Sequence, residues 1–210
     1  MKIKYQSILV LVFCIIVISI TSEVLEIDEE FEKVTCGSAV KITHSVSQYK
    51  LHSHSISYGT GSGQQSVTGL SRADDPDSYW IIKGADGSPC PRGEPIKCNS
   101  IIRLQHISTR KLLHSHLHFS PLSNQQEVSA FDGFDSGDNW KLICLNTSTQ
   151  YWLREQKIKL KHSETHKYLV ASKDKVYNNP INGQIEVAAS LTSNEDSEWI
   201  AQEGIYFAER

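Results

Sequence analysis

Two short segments concentrate imidazole groups: Leu51-His52-Ser53-His54-Ser55 and Leu113-His114-Ser115-His116-Leu117-His118. On an extended strand alternate residues share a face. His52 with His54, or His114 with His116, is then a pair able to chelate zinc or copper. No third ligand of fixed spacing accompanies either pair, and the number and kind of ligands decide a metal site. The expectation is therefore no metal. The four imidazoles are candidate interaction residues that bond neighbouring loops and shape one end of the fold.

Catalytic patterns are missing as well. The chain has no Gly-x-Ser-x-Gly elbow, no phosphate-binding loop and no His-Glu-x-x-His helix. Asp, Ser and His are plentiful, but they recur with the fold, so their spacing needs no reaction to explain it. We expect a protein that is not an enzyme, with no catalytic residues and no cofactor.

Cysteine chemistry depends on the compartment. Met1 to about Ser22 reads as a secretory signal peptide, with Lys2 and Lys4 as the basic start, an apolar run from Ile8 to Ile20, and small residues Thr21-Ser22 for cleavage. A spanning helix needs about 20 apolar residues, so this run is short for an anchor, and no other stretch could span a bilayer. Cys14 leaves with the signal. Cys36, Cys90, Cys98 and Cys144 remain, an even number that suggests two disulfides with three possible connectivities. Asn146-Thr147-Ser148 is a glycosylation sequon in a polar stretch. Without Lys2 and Lys4 the chain holds 19 basic residues (21 − 2) against 24 acidic ones, a net charge of −5. That balance argues against nucleic acid as a partner, which calls for a basic patch.

A threefold repeat must position these groups. Val40-Lys41-Ile42-Thr43-His44 matches Ile102-Arg103-Leu104-Gln105-His106 and Ile158-Lys159-Leu160-Lys161-His162. Seven residues after each histidine stands a leucine: Leu51, Leu113 and Leu169. Turn residues follow, then Gly63 to Val67, Asn124 to Val128 and Gly183 to Val187, then an acidic turn, then Trp80, Trp140 or Trp199. Each copy reads as four short strands with the period-2 alternation of half-buried β-structure. Three four-stranded units are too few for a propeller. A closed barrel leaves few exposed strand edges. The expected fold is all-β, a β-trefoil with pseudo-threefold symmetry. An acidic lead-in spans 23–33, and repeats cover about 34–94, 95–150 and 151–206 within a 34–206 domain. The lead-in reads as a solvated tail, with a partner-binding arm as the alternative.

The repeat also orders the cysteines. Cys36 and Cys98 each lie eight residues before the aligned histidine, and Cys90 and Cys144 each follow their copy's tryptophan. The pairs Cys36–Cys90 and Cys98–Cys144 then join the first and last strands of one copy. The tryptophans read as core. A sugar-stacking role is the sharper alternative, but the Gln-x-Trp element of ricin-type lectin trefoils is absent. The triplets here are Ser78-Tyr79-Trp80, Asp138-Asn139-Trp140 and Ser197-Glu198-Trp199.

Val34-Thr35-Cys36-Gly37-Ser38, the two Leu-His-Ser-His segments, Pro95-Ile96-Lys97-Cys98, Ser120 to Phe131 and Glu203-Gly204-Ile205 together resemble the stromal cell-derived factor 2-like proteins, built of three MIR repeats. The module also occurs in protein O-mannosyltransferases and in inositol trisphosphate and ryanodine receptors. The resemblance implies a soluble protein of the endoplasmic reticulum lumen that associates with a lumenal J-domain co-chaperone and, through it, a BiP-type chaperone, and that assists quality control of misfolded secretory clients. It supplies no catalytic residues. Tyr206-Phe207-Ala208-Glu209-Arg210 is not a retrieval tetrapeptide, so lumenal residence would rest on a retained partner, with secretion as the other outcome. The alternative from another class is a glycan-binding MIR module linked to O-mannosylation or secreted glycoproteins.

Overall fold

The computed structural model describes residues 27–209. The signal peptide expected up to Ser22 lies outside the described residues. Twelve strands run in chain order as β1 (Ala39–His44), β2 (Lys50–Ser57), β3 (Gln65–Leu70), β4 (Tyr79–Gly84), β5 (Ile101–His106), β6 (Leu112–Phe119), β7 (Gln126–Phe131), β8 (Trp140–Cys144), β9 (Lys157–His162), β10 (Tyr168–Val176), β11 (Ile185–Ser190) and β12 (Trp199–Ile205). The acidic segments before the three tryptophans each make a short 3-10 turn: Pro76–Ser78, Ser136–Asp138 and Glu195–Ser197.

Six strands close a barrel in the order β1–β4–β5–β8–β9–β12 and back to β1, all antiparallel. The other six form three hairpins, β2–β3, β6–β7 and β10–β11. These join at their inner strands, where β3, β7 and β11 pair with one another. This is a β-trefoil, and its threefold relation extends to bulges. Each hairpin shifts register at the same place, between Ser53 and Ser57, Ser115 and Phe119, and Ala171 and Val176. The bulge swings the second half of each outer strand away from the core. Those halves are exposed in all three copies.

The repeated residues build the interior. Trp80, Trp140 and Trp199 are fully buried, and their indole N–H groups donate to the carbonyls of Leu51, Leu113 and Leu169 at 2.9–3.0 Å. Each tryptophan faces the histidine of the next copy, with ring centroids 5.0–5.1 Å apart: Trp80 with His106, Trp140 with His162, Trp199 with His44. The histidine Nε2 donates to a carbonyl of the preceding copy's 3-10 turn, from Asp77, Gly137 or Asp196. A carbonyl only accepts, so these rings carry their proton on Nε2. Their Nδ1 atoms accept from the backbone N–H of Ser47, Thr109 and Thr165. Burial holds all three imidazoles below their ordinary pKa.

The far end of the barrel is closed by backbone. Val34 N–H donates to Trp152, Trp152 N–H to Ile96, and Ile96 N–H to Val34, at 2.8–3.0 Å. The three residues lie six positions before Val40, Ile102 and Ile158, and all are buried. Two disulfides cross the same end. Cys36 is bonded to Cys90 and Cys98 to Cys144, with Cα atoms 5.4 and 5.5 Å apart.

The lead-in departs from a solvated tail. From residue 27 onward it is docked, with a 3-10 turn at Glu29–Phe31 and a bridge between Lys33 and Leu153. Lys33 also pairs with Glu209. Phe207 beyond β12 returns to this end, where its carbonyl accepts from Thr35 and its ring lies 4.6 Å from the Arg92 guanidinium.

Candidate functional site

The four singled-out histidines sit on two of the three hairpins, just before the bulge. His52 and His54 are in β2, His114 and His116 in β6. Copy three has Val170 and Ser172 there instead. Each pair does share a face, with ring centroids 5.2 Å apart for His52–His54 and 4.2 Å for His114–His116. Within a pair, however, the two members differ. His52 and His114 are only 4% and 1% exposed, so neither can present itself to a protein partner. His54 and His116 are half-buried and reach solvent.

The partners that hold these rings are carboxylates from the 3-10 turn of the same copy. In copy one, His52 Nδ1 lies 2.9 Å from Asp75 Oδ2, and Ser78 donates to the same oxygen at 2.9 Å. His54 accepts at Nδ1 from the N–H of Ile56. Burial lowers the pKa of both rings, against the opposing pull of Asp75 on His52.

Copy two has the same layout with two changes. Asp138 stands where Ser78 stands, and Gly137 where Asp77 stands, counting back from the tryptophan. The fully buried Asp138 now takes the inner imidazole, with His114 Nδ1 2.8 Å from its Oδ1. Its Oδ2 accepts the N–H of Asp135, which closes a capping box with the Asp135 side chain. Asp135 is thereby free of the direct role that Asp75 has. Its Oδ1 accepts Gly137 N–H at 2.8 Å and lies 3.6 Å from His114 Nδ1, and its Oδ2 lies 3.4 Å from His116 Nε2. Gly137 lets the rings approach. A Cβ there would lie 2.5 Å from His114 Cε1 and 2.9 Å from His116 Cε1. Sequence spacing alone does not reveal Asp135, Asp138 or Gly137 as partners. The signal is their fixed distance before the tryptophan once that turn is known to pack on β6.

Beyond the bulge lie the arm ends. Leu117 is 82% exposed and Phe119 72% exposed. Leu117 lines a groove of about 720 Å³ between copies two and three, together with His116, Thr165, Lys167 and Leu191, itself 73% exposed. His118 and Glu164 complete its wall, so two exposed leucines sit among polar side chains, which makes the groove a candidate interaction surface. The tryptophans contribute nothing to any surface, so sugar stacking on them is ruled out by their burial.

The sequon follows β8. Asn146 is half-buried, and its Oδ1 accepts from the Ser148 N–H and hydroxyl at 3.0 and 2.6 Å.

Comparison with known proteins gives the lineage of this architecture. A MIR domain model matches residues 50–151. A stromal cell-derived factor 2-like protein of Dictyostelium discoideum is 45% identical, covering 96% of this chain and 98% of its own length. The chain belongs to the stromal cell-derived factor 2-like family. The crystal structure of the SDF2-like protein of Arabidopsis thaliana superimposes with a TM-score of 0.82 at 43% identity, over 84% of this chain and 98% of that one. The MIR trefoil is also found within a larger assembly. A Saccharomyces cerevisiae protein O-mannosyltransferase, in a Pmt1–Pmt2 complex bound to the sugar donor, matches with a TM-score of 0.73 at 27% identity, over 84% of this chain and 26% of that one. The family relatives carry the names of stromal cell-derived factor proteins rather than of enzymes, and the matched domain model names no catalytic family. The two disulfides fit an oxidising compartment, the secretory lumen or the cell exterior. Among the described residues no helix is long and apolar enough to cross a membrane.

Proposed function

We propose that this protein is a non-catalytic component of protein quality control in the endoplasmic reticulum lumen, where it binds a J-domain co-chaperone and, through it, a BiP-type chaperone, and holds misfolded secretory clients. The observation that carries the client-binding step is the apolar arm of β6, with Leu117 and Phe119 exposed beside the groove that Leu191 completes. An extended apolar segment of a non-native chain buries its side chains there, with a gain of about 25 cal/mol for each Å² of apolar surface removed from water. Among the described residues nothing covers this surface. The family resemblance supports the co-chaperone and the lumenal address. Asn146 is the N-glycan acceptor in this reading.

The test is aggregation of a chemically denatured secretory client, with and without the purified protein and its co-chaperone. Suppression that is lost in a Leu117→Ser/Leu191→Ser variant supports the reading. No suppression by the intact protein rejects it.

The second reading is a glycan-binding module. Similarity to the MIR region of an O-mannosyltransferase favours it. The buried tryptophans move any sugar site to polar loop surface. Titration with O-mannosyl glycans that leaves the amide NMR spectrum unchanged removes this reading.

A further inference from the structure

We propose that His114, His116 and Asp135 form a binding site for a divalent transition-metal ion, Zn²⁺ foremost, with Asp138 orienting His114. The site shares His116 with the groove assigned to clients, so it is tested on the client-free protein.

One donor atom from each of the three side chains lies within 4.8 Å of the other two. Two imidazoles and a carboxylate are the ligand set of open, three-residue zinc sites, in which water or another small ligand takes the fourth position. Zn²⁺ holds N and O ligands at about 2.0–2.1 Å, which puts tetrahedral neighbours about 3.3 Å apart. His116 Nε2 and Asp135 Oδ2 are already 3.4 Å apart.

The inner ligand has the environment a metal-bound histidine needs. Such an imidazole gives the N–H of its second nitrogen to a carboxylate or carbonyl, which fixes the ring and raises its basicity. His114 has Nδ1 2.8 Å from the fully buried Asp138 and 3.6 Å from Asp135, while its Nε2 is buried with no hydrogen-bond partner among the described residues. A buried nitrogen lone pair left unmatched is costly in a fold. Coordination would satisfy it. Among the described residues no lysine or arginine makes an ion pair with Asp135 or Asp138, which leaves both carboxylates open to the charge of a divalent cation. The outer ligands give access, since the His116 and Asp135 side chains are 40% and 39% exposed.

Copy one supplies a control within the same molecule. His52 and His54 occupy the matching strand positions, and His54 Nε2 is likewise buried without a hydrogen-bond partner among the described residues, yet Asp75 is engaged by His52 and Ser78 and the rings stand 1.0 Å further apart (5.2 against 4.2 Å). Two residues of the turn account for the difference. Asp138 relieves Asp135 of the inner histidine, and Gly137 removes the Cβ that would keep the rings from closing. Copies one and three therefore bind no ion at these positions.

The test is titration of the chelator-stripped full-length protein with Zn²⁺ by calorimetry, and with Co²⁺ by visible absorption, which reports coordination geometry. The expected result is one equivalent of Zn²⁺ per chain and Co²⁺ bands of a four-coordinate N/O site. Affinity should fall at least ~10-fold in His116→Ala and in Asp135→Asn and by about 10–100-fold in Asp138→Asn, with His54→Ala unchanged. His116 and Asp135 are part-exposed, so their variants report on binding even if Asp138→Asn loosens the fold. No binding, binding unaffected by His116→Ala and Asp135→Asn, or an equal loss in His54→Ala would overturn the proposal.

Discussion

The barrel and the hairpin arms of this trefoil obey opposite rules. In the barrel one device occurs three times: a buried tryptophan, the histidine of the next copy at about 5 Å, and the turn carbonyl that this histidine holds. At the arm ends the backbone repeats and the chemistry does not. Matching exposed positions hold Ser55-Ile56-Ser57 in β2, Leu117-His118-Phe119 in β6 and Lys173-Asp174-Lys175 in β10. Closing a barrel demands the same solution at each third of the turn. A solvent-facing arm is under no such demand, so its residues are free to serve a partner. Repetition marks what folds the chain, and departure from repetition marks where to look for function.

Breaking the barrel device should have the largest effect. Trp140→Ala removes a fully buried indole and its bond to Leu113, and is expected to cost about 3–5 kcal/mol, read as a shift of the denaturant midpoint. Trp80→Ala and Trp199→Ala should cost the same within about 1 kcal/mol if the copies are equivalent; a spread of several kcal/mol would break the equivalence. Removing one disulfide as Cys98→Ser/Cys144→Ser should cost about 2–5 kcal/mol, with the barrel still folded under non-reducing conditions.

The histidines sharpen the contrast through pH. His44, His106 and His162 in the barrel and His52 and His54 in the arm all have pKa values pulled below the ordinary 6.5, chiefly by burial. Above that value both folded and unfolded chains carry neutral rings, and the full stability is present. As pH falls below 6.5 the unfolded chain takes up protons that the folded chain refuses, so stability declines until the lowered folded values are reached. Unfolding free energy should therefore drop as pH falls through and below 6.5, and His162→Gln should reduce that slope. A flat profile would contradict the buried, Nε2-protonated rings.

The smallest stability effect belongs to the arms. Leu117→Ser is expected to change stability by less than about 0.5 kcal/mol, since the side chain is 82% exposed.

The same contrast explains what could be read from residues alone. The threefold spacing of histidine, leucine and tryptophan is visible because every copy must meet the same packing need, and the cysteine pairing follows from that register. Val34, Ile96 and Trp152 were equally regular, six residues before each first strand, but their types differ and no motif draws the eye to them. The histidine pairs on β2 and β6 could be placed on one face. Their carboxylate partners could not, because Asp75 and Asp138 come from a turn more than 20 residues further on that packs back against the strand. Exposure was the other hidden quantity. Nothing in Leu-His-Ser-His says that the first imidazole is buried and the second half-exposed. The docked part of the lead-in was hidden for a related reason, since its anchors, Leu153 and Glu209, are remote in sequence.

The central claim is that function lies where copy two departs from its siblings. A photo-reactive amino acid placed in turn at position 55, 117 or 173 probes three equivalent points on one backbone. Illumination in the presence of a denatured secretory client should give a crosslinked adduct from position 117, with far less from 55 and 173. Equal yields from all three positions, or none from 117, would contradict the account.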